Sequence, residues 1–201
     1  PRIVAAMSGT AGDDYARRLA TLEGARWKRV LSVQAPYRWN LRRRQLGRTL
    51  EVGCGIGRNL ATLGDGSIGV DHNPASIEIA RQRGFTAYTV EEWQRRPAAP
   101  ESFASLLVAH VVEHLTRSDA RSIMSDYLPF LRSGGKVLFI CPQEKGYASD
   151  ATHISWTTGS DLEQLSRDLG LRPDGWTSFP LPRFAGRYFT YNEFNVVAHK
   201  A

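Results

Sequence analysis

The stretch Glu51-Val52-Gly53-Cys54-Gly55-Ile56-Gly57 sets three glycines at alternate positions behind a short apolar run. Glycine has no Cβ, so such a loop can turn sharply and lie directly against a ligand. The N-terminus of a following helix would add unpaired N–H groups facing an electron-rich group. Asp71 ends the next apolar run, eighteen residues beyond Gly53. A carboxylate there can accept hydrogen bonds from both hydroxyls of an unmodified ribose. Dinucleotide-binding loops also carry glycines, but at the spacing G-x-G-x-x-G. Here the spacing is G-x-G-x-G, and the acid Glu51 lies just upstream. A pyrophosphate would be poorly served by that acid, whereas a cationic sulfonium with an amino-acid tail would tolerate or exploit it. Cys54 and His72 share the two turns and join Glu51, Gly53, Gly55, Gly57 and Asp71 in the candidate cofactor set.

His110, Glu113 and His114 form a second cluster, and His153 follows far downstream in Asp150-Ala151-Thr152-His153. The spacing i, i+3, i+4 would put the first three on one side of a helical turn. Three readings stay open. In the first, Glu113 and His114 hydrogen-bond internally and position loops; in the second, His114 or His153 is general base for a substrate hydroxyl, since imidazole titrates near neutral pH, with His110 a further catalytic candidate; in the third, His110, Glu113, His114 and His153 together hold a divalent ion, for which a histidine-rich set favours a transition metal.

These residues need a scaffold, and the pattern around them supplies one. Tyr15, Leu19, Leu22, Trp27, Val30 and Leu31 recur near helical spacing, and Pro36 is expected to break residues 11–46 into two helices, the second from Tyr37 to Leu46. From residue 48 strands and helices alternate. Strands are expected at 49–53, 67–71, 85–89, 106–110 and 136–141, with two more at 174–179 and 193–199. Helices are expected at 58–63, 74–83, from His110 to about Leu131, and at 159–170. Such alternation means βαβ units and a mostly parallel sheet with helices on both faces. The chain is thus expected to comprise an N-terminal helical extension or lid, 1–47, and one α/β domain, 48–201.

The 201 residues suffice for one sizeable core. No apolar run approaches the ~20 residues that span a bilayer, and neither a signal peptide nor a disulfide framework is visible with only Cys54 and Cys141. A cytoplasmic protein without a membrane partner is expected. The net charge of +6 is concentrated in the first fifty residues, which hold eleven basic and three acidic side chains. Because these basic residues are spread along the segment, a solvated arginine-rich face is preferred to an anion-attracting surface.

Leu50 to Leu63 resembles the first motif of class I, Rossmann-like S-adenosylmethionine-dependent methyltransferases. Gly69-Val70-Asp71-His72-Asn73 is similar to their second motif. Phe103 to Leu115 is similar to the fourth-strand motif, although Ala104 stands where an acid is common. Leu131 to Leu138 matches the turn before the fifth strand. The resemblance covers roughly residues 48–172. It implies a seven-stranded sheet whose last strand is antiparallel, S-adenosylmethionine as cofactor, Asp71 on its ribose, and an adenine-contacting stretch at Val90-Glu91-Glu92-Trp93, with Glu91 the candidate and His110 at the methyl-bearing end. It also implies substrate walls from the N-terminal helices and the loop between the last two strands, hence Tyr37, Arg183, Arg187, Tyr188 and Tyr191. His110-x-x-Glu113-His114 with His153 resembles the metal-binding set of small-RNA 2′-O-methyltransferases, with His110 replacing a Glu.

The expected activity is therefore O-methylation of a small molecule (a sugar, phenol or carboxylate) by in-line transfer. Two alternatives remain: an RNA methyltransferase with a metal-assisted 2′-hydroxyl site, against which no RNA-binding module is recognisable, and a non-catalytic binding protein that kept the fold.

Overall fold

The computed structural model describes residues 34–95 and 99–201. The apolar runs become seven strands in the order β3-β2-β1-β4-β5-β7-β6. These are β1 (Thr49–Val52), β2 (Ile68–Asp71), β3 (Ala87–Thr89), β4 (Phe103–Ala109), β5 (Leu131–Pro142), β6 (Arg172–Phe179) and β7 (Glu193–His199). Strands β1 to β5 pair in parallel, while β7 runs antiparallel to both β5 and β6.

Alternate residues of the central strands feed two cores, as the two-residue period of a strand requires. Leu106, Val108, Val137 and Phe139 join Ile123, Met124, Leu162 and Leu165 on one face. Leu107, Ala109, Leu138 and Ile140 meet Leu41 and Leu46 on the other. The helices supplying these contacts are α1 (Ala35–Arg43), α4 (Arg117–Tyr127) and α6 (Gly159–Asp168); α2 (Pro74–Gln82) and α3 (Val90–Arg95) flank the β2–β3 edge, and α5 (Glu144–Tyr147) follows β5. Helix α2 is started by Asn73, whose side chain accepts from the amides of Ala75 and Ser76 with Pro74 in the first turn, and α6 by a Thr158/Asp161 capping box.

Several expected boundaries move, each for a local reason. No α-helix forms over 58–63: Gly55 and Gly57 have positive φ, Gly64 closes the segment, and only a 3-10 turn at Leu60–Thr62 fits between them. Strand β3 starts two residues late because Phe85 folds back onto α2 and packs with Ile77 and Ala80. Strand β4 starts earlier, at Phe103, and ends before His110, whose φ of +57° leaves the extended region. The helix expected from His110 is a 3-10 turn, Val112–His114, and the α-helix begins only after Thr116, which caps it. Strand β5 takes in the Ser133-Gly134-Gly135 turn rather than starting after it. Pro36 lies in the first turn of α1, which ends at Arg43 rather than Leu46. The helical pattern expected over Tyr15 to Leu31 lies outside the described residues.

No helix among the described residues is long and apolar enough to cross a membrane.

Candidate active site

The carboxyl ends of β1, β2, β4 and β5 open into one cleft of about 420 Å³. Ligands of open α/β sheets bind at this edge. The glycine loop forms one end. Gly53, Gly55 and Gly57 have φ of +77°, +50° and +80°. A Cβ on Gly53 would overlap the Val111 side chain, whereas one on Gly55 would meet no protein atom and would project into open space. Gly55 is therefore bare backbone offered to the cleft.

Asp71 binds that loop to the next strand. Its Oδ2 accepts the amide of Gly55 at 2.8 Å, and its Oδ1 accepts the amide of Asn73 at 2.8 Å, with His72 Nδ1 at 3.3 Å. A carboxylate has about four acceptor positions, so both oxygens keep capacity for ribose hydroxyls. Glu51 is buried beneath the loop. Oε1 accepts from Asn59 at 2.7 Å, while Oε2 has no partner. Burial pushes its carboxyl up to about 8, Asn59 partly offsetting and the Asp71 charge adding. A buried orphan acceptor beside bare backbone and a ribose-ready carboxylate fits a nucleoside with an ammonium-bearing tail.

Among the expected cofactor residues, Glu51, Gly53, Cys54, Gly55, Asp71, His72 and His110 line the cleft. Gly57 does not line it, packing instead where a Cβ would press on Phe85, and Glu91 also stays outside, in the first turn of α3. Asn73 and Ser76 line the cleft at the start of α2, a contribution sequence reasoning missed although the cap signal Asn73-Pro74 was visible.

The opposite end holds His110, His114, Asp150, His153, Tyr37, Tyr191 and Glu193. His114 Nδ1 lies 3.1 Å from the Thr152 carbonyl oxygen, and His153 Nδ1 lies 2.8 Å from that of Tyr147. A carbonyl only accepts, so both Nδ1 atoms carry the proton and both Nε2 atoms keep a lone pair. The two rings meet edge to face at 4.7 Å. Burial holds the His114 imidazole below its ordinary value, despite Glu113 and Thr152 pulling the other way.

His110 behaves differently. Its Nδ1 faces Glu113 Oε1 at 3.3 Å and its Nε2 faces Glu193 Oε1 at 3.0 Å. Burial works against protonation, but the two carboxylates win and raise it to about 10. With both ring nitrogens engaged by carboxylates, His110 turns no free lone pair to a substrate proton or a metal, which argues against the catalytic and metal roles expected of it. The metal set contracts accordingly: among the described residues Glu113, His114 and His153 bring ligand atoms within 4.8 Å of one another. Glu113 is already committed, with Oε1 on His110 and Oε2 accepting from the Cys141 thiol at 3.3 Å. That donor set does not fit a metal centre as it stands.

Two of the five expected substrate residues reach the cleft. Tyr37 donates to the Tyr191 carbonyl at 2.6 Å, and both line the wall. Arg183 instead pairs with Glu144, fastening the 180–192 loop to α5. Arg187 is exposed outside the cleft, and Tyr188 is 79% exposed there too. The loop is anchored by buried Asn192, which accepts from the Leu181 amide and donates to Gln143 Oε1.

A sheet of this order, with a glycine loop and a facing acid at adjacent strand ends, defines a Rossmann-like α/β protein built to hold a nucleoside. Residues 50–139 match the family model described as "Methyltransferase domain". That stretch, 90 of the 201 residues, contains the glycine loop, Asp71, His110, Glu113 and His114, so the match to a methyltransferase domain spans the candidate site. The fold is shared with a possible histamine N-methyltransferase from Thermotoga maritima (TM-score 0.65, 17% identity, covering 93% of this chain and 98% of that one). It is also shared with an Archaeoglobus fulgidus SAM-dependent methyltransferase (0.61, 17%, 85% and 99%). A third is geranyl diphosphate C-methyltransferase from Streptomyces coelicolor, solved with Mg2+, geranyl diphosphate and S-adenosyl-L-homocysteine (0.62, 15%, 98% and 86%). No curated protein matches the chain by sequence.

Proposed function

We propose that this enzyme methylates a hydroxyl of a small molecule, with His114 or His153 as general base. The observation that carries the reading is the tautomer of the two histidines: each is pinned through Nδ1 to a backbone carbonyl, which leaves Nε2 to accept a proton, and both residues line the same cleft. When bound, S-adenosylmethionine supplies a methyl group already activated by its sulfonium. The protein's task is then to align donor and acceptor in one cleft, which can contribute on the order of 7–11 kcal/mol in well-oriented systems. The acceptor oxygen gains the methyl group as the sulfur–methyl bond breaks, and the hydroxyl proton passes to Nε2 of the base. Depressed basicity keeps His114 neutral at pH 7 and ready to accept it.

A metal forms no part of this reading, because Glu113 is fully buried and does not line the cleft. The described part of the segment before residue 48 adds to the cleft wall: Gln34 and Tyr37 line it, and Asn40 ties α1 to β7 through Asn195 at 2.7 Å. Two buried free thiols, Cys54 and Cys141, suit a reducing cytoplasmic setting.

The test is transfer of labelled methyl from S-adenosylmethionine into a fractionated lysate of the source cell, with mass spectrometry of the product. Label on an oxygen of a small molecule supports the reading; label on RNA, carbon or nitrogen refutes it.

A further inference from the structure

The acceptor end of the cleft has a charge pattern that selects among substrates. Glu193 opens β7, and its side chain is only 10% exposed although it lines the cleft. His110 holds Oε1, while Oε2 has no hydrogen-bond partner among the described residues. Asp150 lies across the cleft, its Oδ1 accepting the Thr152 amide and hydroxyl at 2.9 and 2.7 Å. Burial would raise the Asp150 carboxyl, but those bonds and the nearby histidines lower it below its ordinary value. Glu113 adds a third carboxylate behind His110.

Among the described residues, the acceptor end sets one fixed cation against these three anions, the His110 imidazolium, whose N–H groups are both spent on Glu113 and Glu193. The other basic side chain lining the cleft, Arg58, is exposed and belongs to the glycine-loop end. A protein of net charge +6 thus keeps an acidic substrate chamber. An anionic acceptor would enter against uncompensated negative charge, and a neutral one would leave the cleft-facing Glu193 carboxylate without a charged partner. A protonated amine completes the pair with a charge-assisted hydrogen bond.

We propose that Glu193 is a specificity-determining residue and that the acceptor is a hydroxylated amine, its ammonium on Glu193 Oε2 and its hydroxyl turned to His114 and His153. This rests on the O-methylation reading above. It removes carboxylates from the expected acceptors.

The test extends the labelled-lysate experiment. Small-molecule products are separated from unreacted donor and resolved by electrophoretic mobility at pH 7, then identified by mass spectrometry. The expected product moves to the cathode and carries its label on oxygen beside an intact amine. Glu193→Gln is expected to raise KM for that acceptor at least tenfold with kcat changed less than threefold, and Glu193→Asp to restore part of the loss. An O-methylated product that is neutral or anionic overturns this inference and leaves O-methylation standing. A cationic product labelled on nitrogen or carbon refutes O-methylation while the charge selection survives. Absence of label from every small molecule sinks both. Should Glu193→Gln fail to fold, the mobility of the wild-type product decides alone.

Discussion

The carboxylate of Asp71 accepts the backbone amide of Gly55 at 2.8 Å, across the gap between the first two strands. The acid proposed to hold a ribose and the loop proposed to meet the rest of the nucleoside are therefore one mechanical unit. Removing the acid changes two things at once: the ligand's hydroxyls lose their acceptor, and the loop loses its tether. A hydrogen bond to a charged group contributes about 1.5–3 kcal/mol. Asp71→Ala is expected to weaken S-adenosylhomocysteine binding by one to two orders of magnitude in calorimetry; unchanged affinity would deny Asp71 its place in the site.

Two glycines of the same loop should respond in opposite ways. Gly53→Ala combines a φ of +77° with an overlap on Val111, and the variant should lose cooperative folding or melt far below wild type. Gly55→Ala meets nothing on the protein side and has only the left-handed backbone cost of about 1–2 kcal/mol. Its circular dichroism melt should shift by several degrees only, while ligand affinity falls at least tenfold. Normal binding by Gly55→Ala would mean that no ligand lies against that backbone.

Glu51 couples binding to protons. Burial first, then the charge of Asp71, raises its carboxyl to about 8, so the free enzyme holds a proton there at pH 7. The raised value favours the protonated native state, so this group contributes stability at low pH that declines as pH climbs from about 4.5 to about 8. A ligand ammonium reverses the preference, and binding at pH 7 should release close to one proton. Calorimetry in buffers of different ionisation enthalpy reads that number, and Glu51→Gln should abolish it. Equal release by wild type and variant would place the proton elsewhere.

The base has a pH signature. Desolvation moves His114 below its ordinary 6.5, so its neutral, proton-accepting form persists into mildly acid solution. If His114 is the base, the acid limb of kcat/KM should fall below pH 6.5 and vanish in His114→Gln, with kcat down 10²–10⁴-fold. A limb retained in His114→Gln but lost in His153→Gln would transfer the role to His153. Full activity in both variants would remove general base catalysis by either.

The parallel sheet and the loop at its edge were legible because each depends on local signals: apolar runs of strand length, glycines at a fixed offset, and an acid at the end of the second run. The fate of His110 was not. Its spacing to Glu113 and His114 suggested three groups side by side on a helix, but a left-handed residue and a 3-10 turn point His110 toward Glu113 and Glu193 and turn His114 toward Thr152. Glu193 is 83 residues away, and no spacing rule announces such a partner. Arg183 misled for the same reason, since Glu144 on another element captured it. Tyr37 and Tyr191 both line the cleft, but their contact across 154 positions belongs to the tertiary fold.

The central claim is that one cleft presents a methyl donor to His114 and His153. Its most direct measurement is a crystal structure with S-adenosylhomocysteine bound. The account predicts ribose hydroxyls on Asp71, the backbone of Gly55 against the ligand, and the sulfur turned toward the histidine end. A ligand bound elsewhere, or with its sulfur facing away from those histidines, would contradict it.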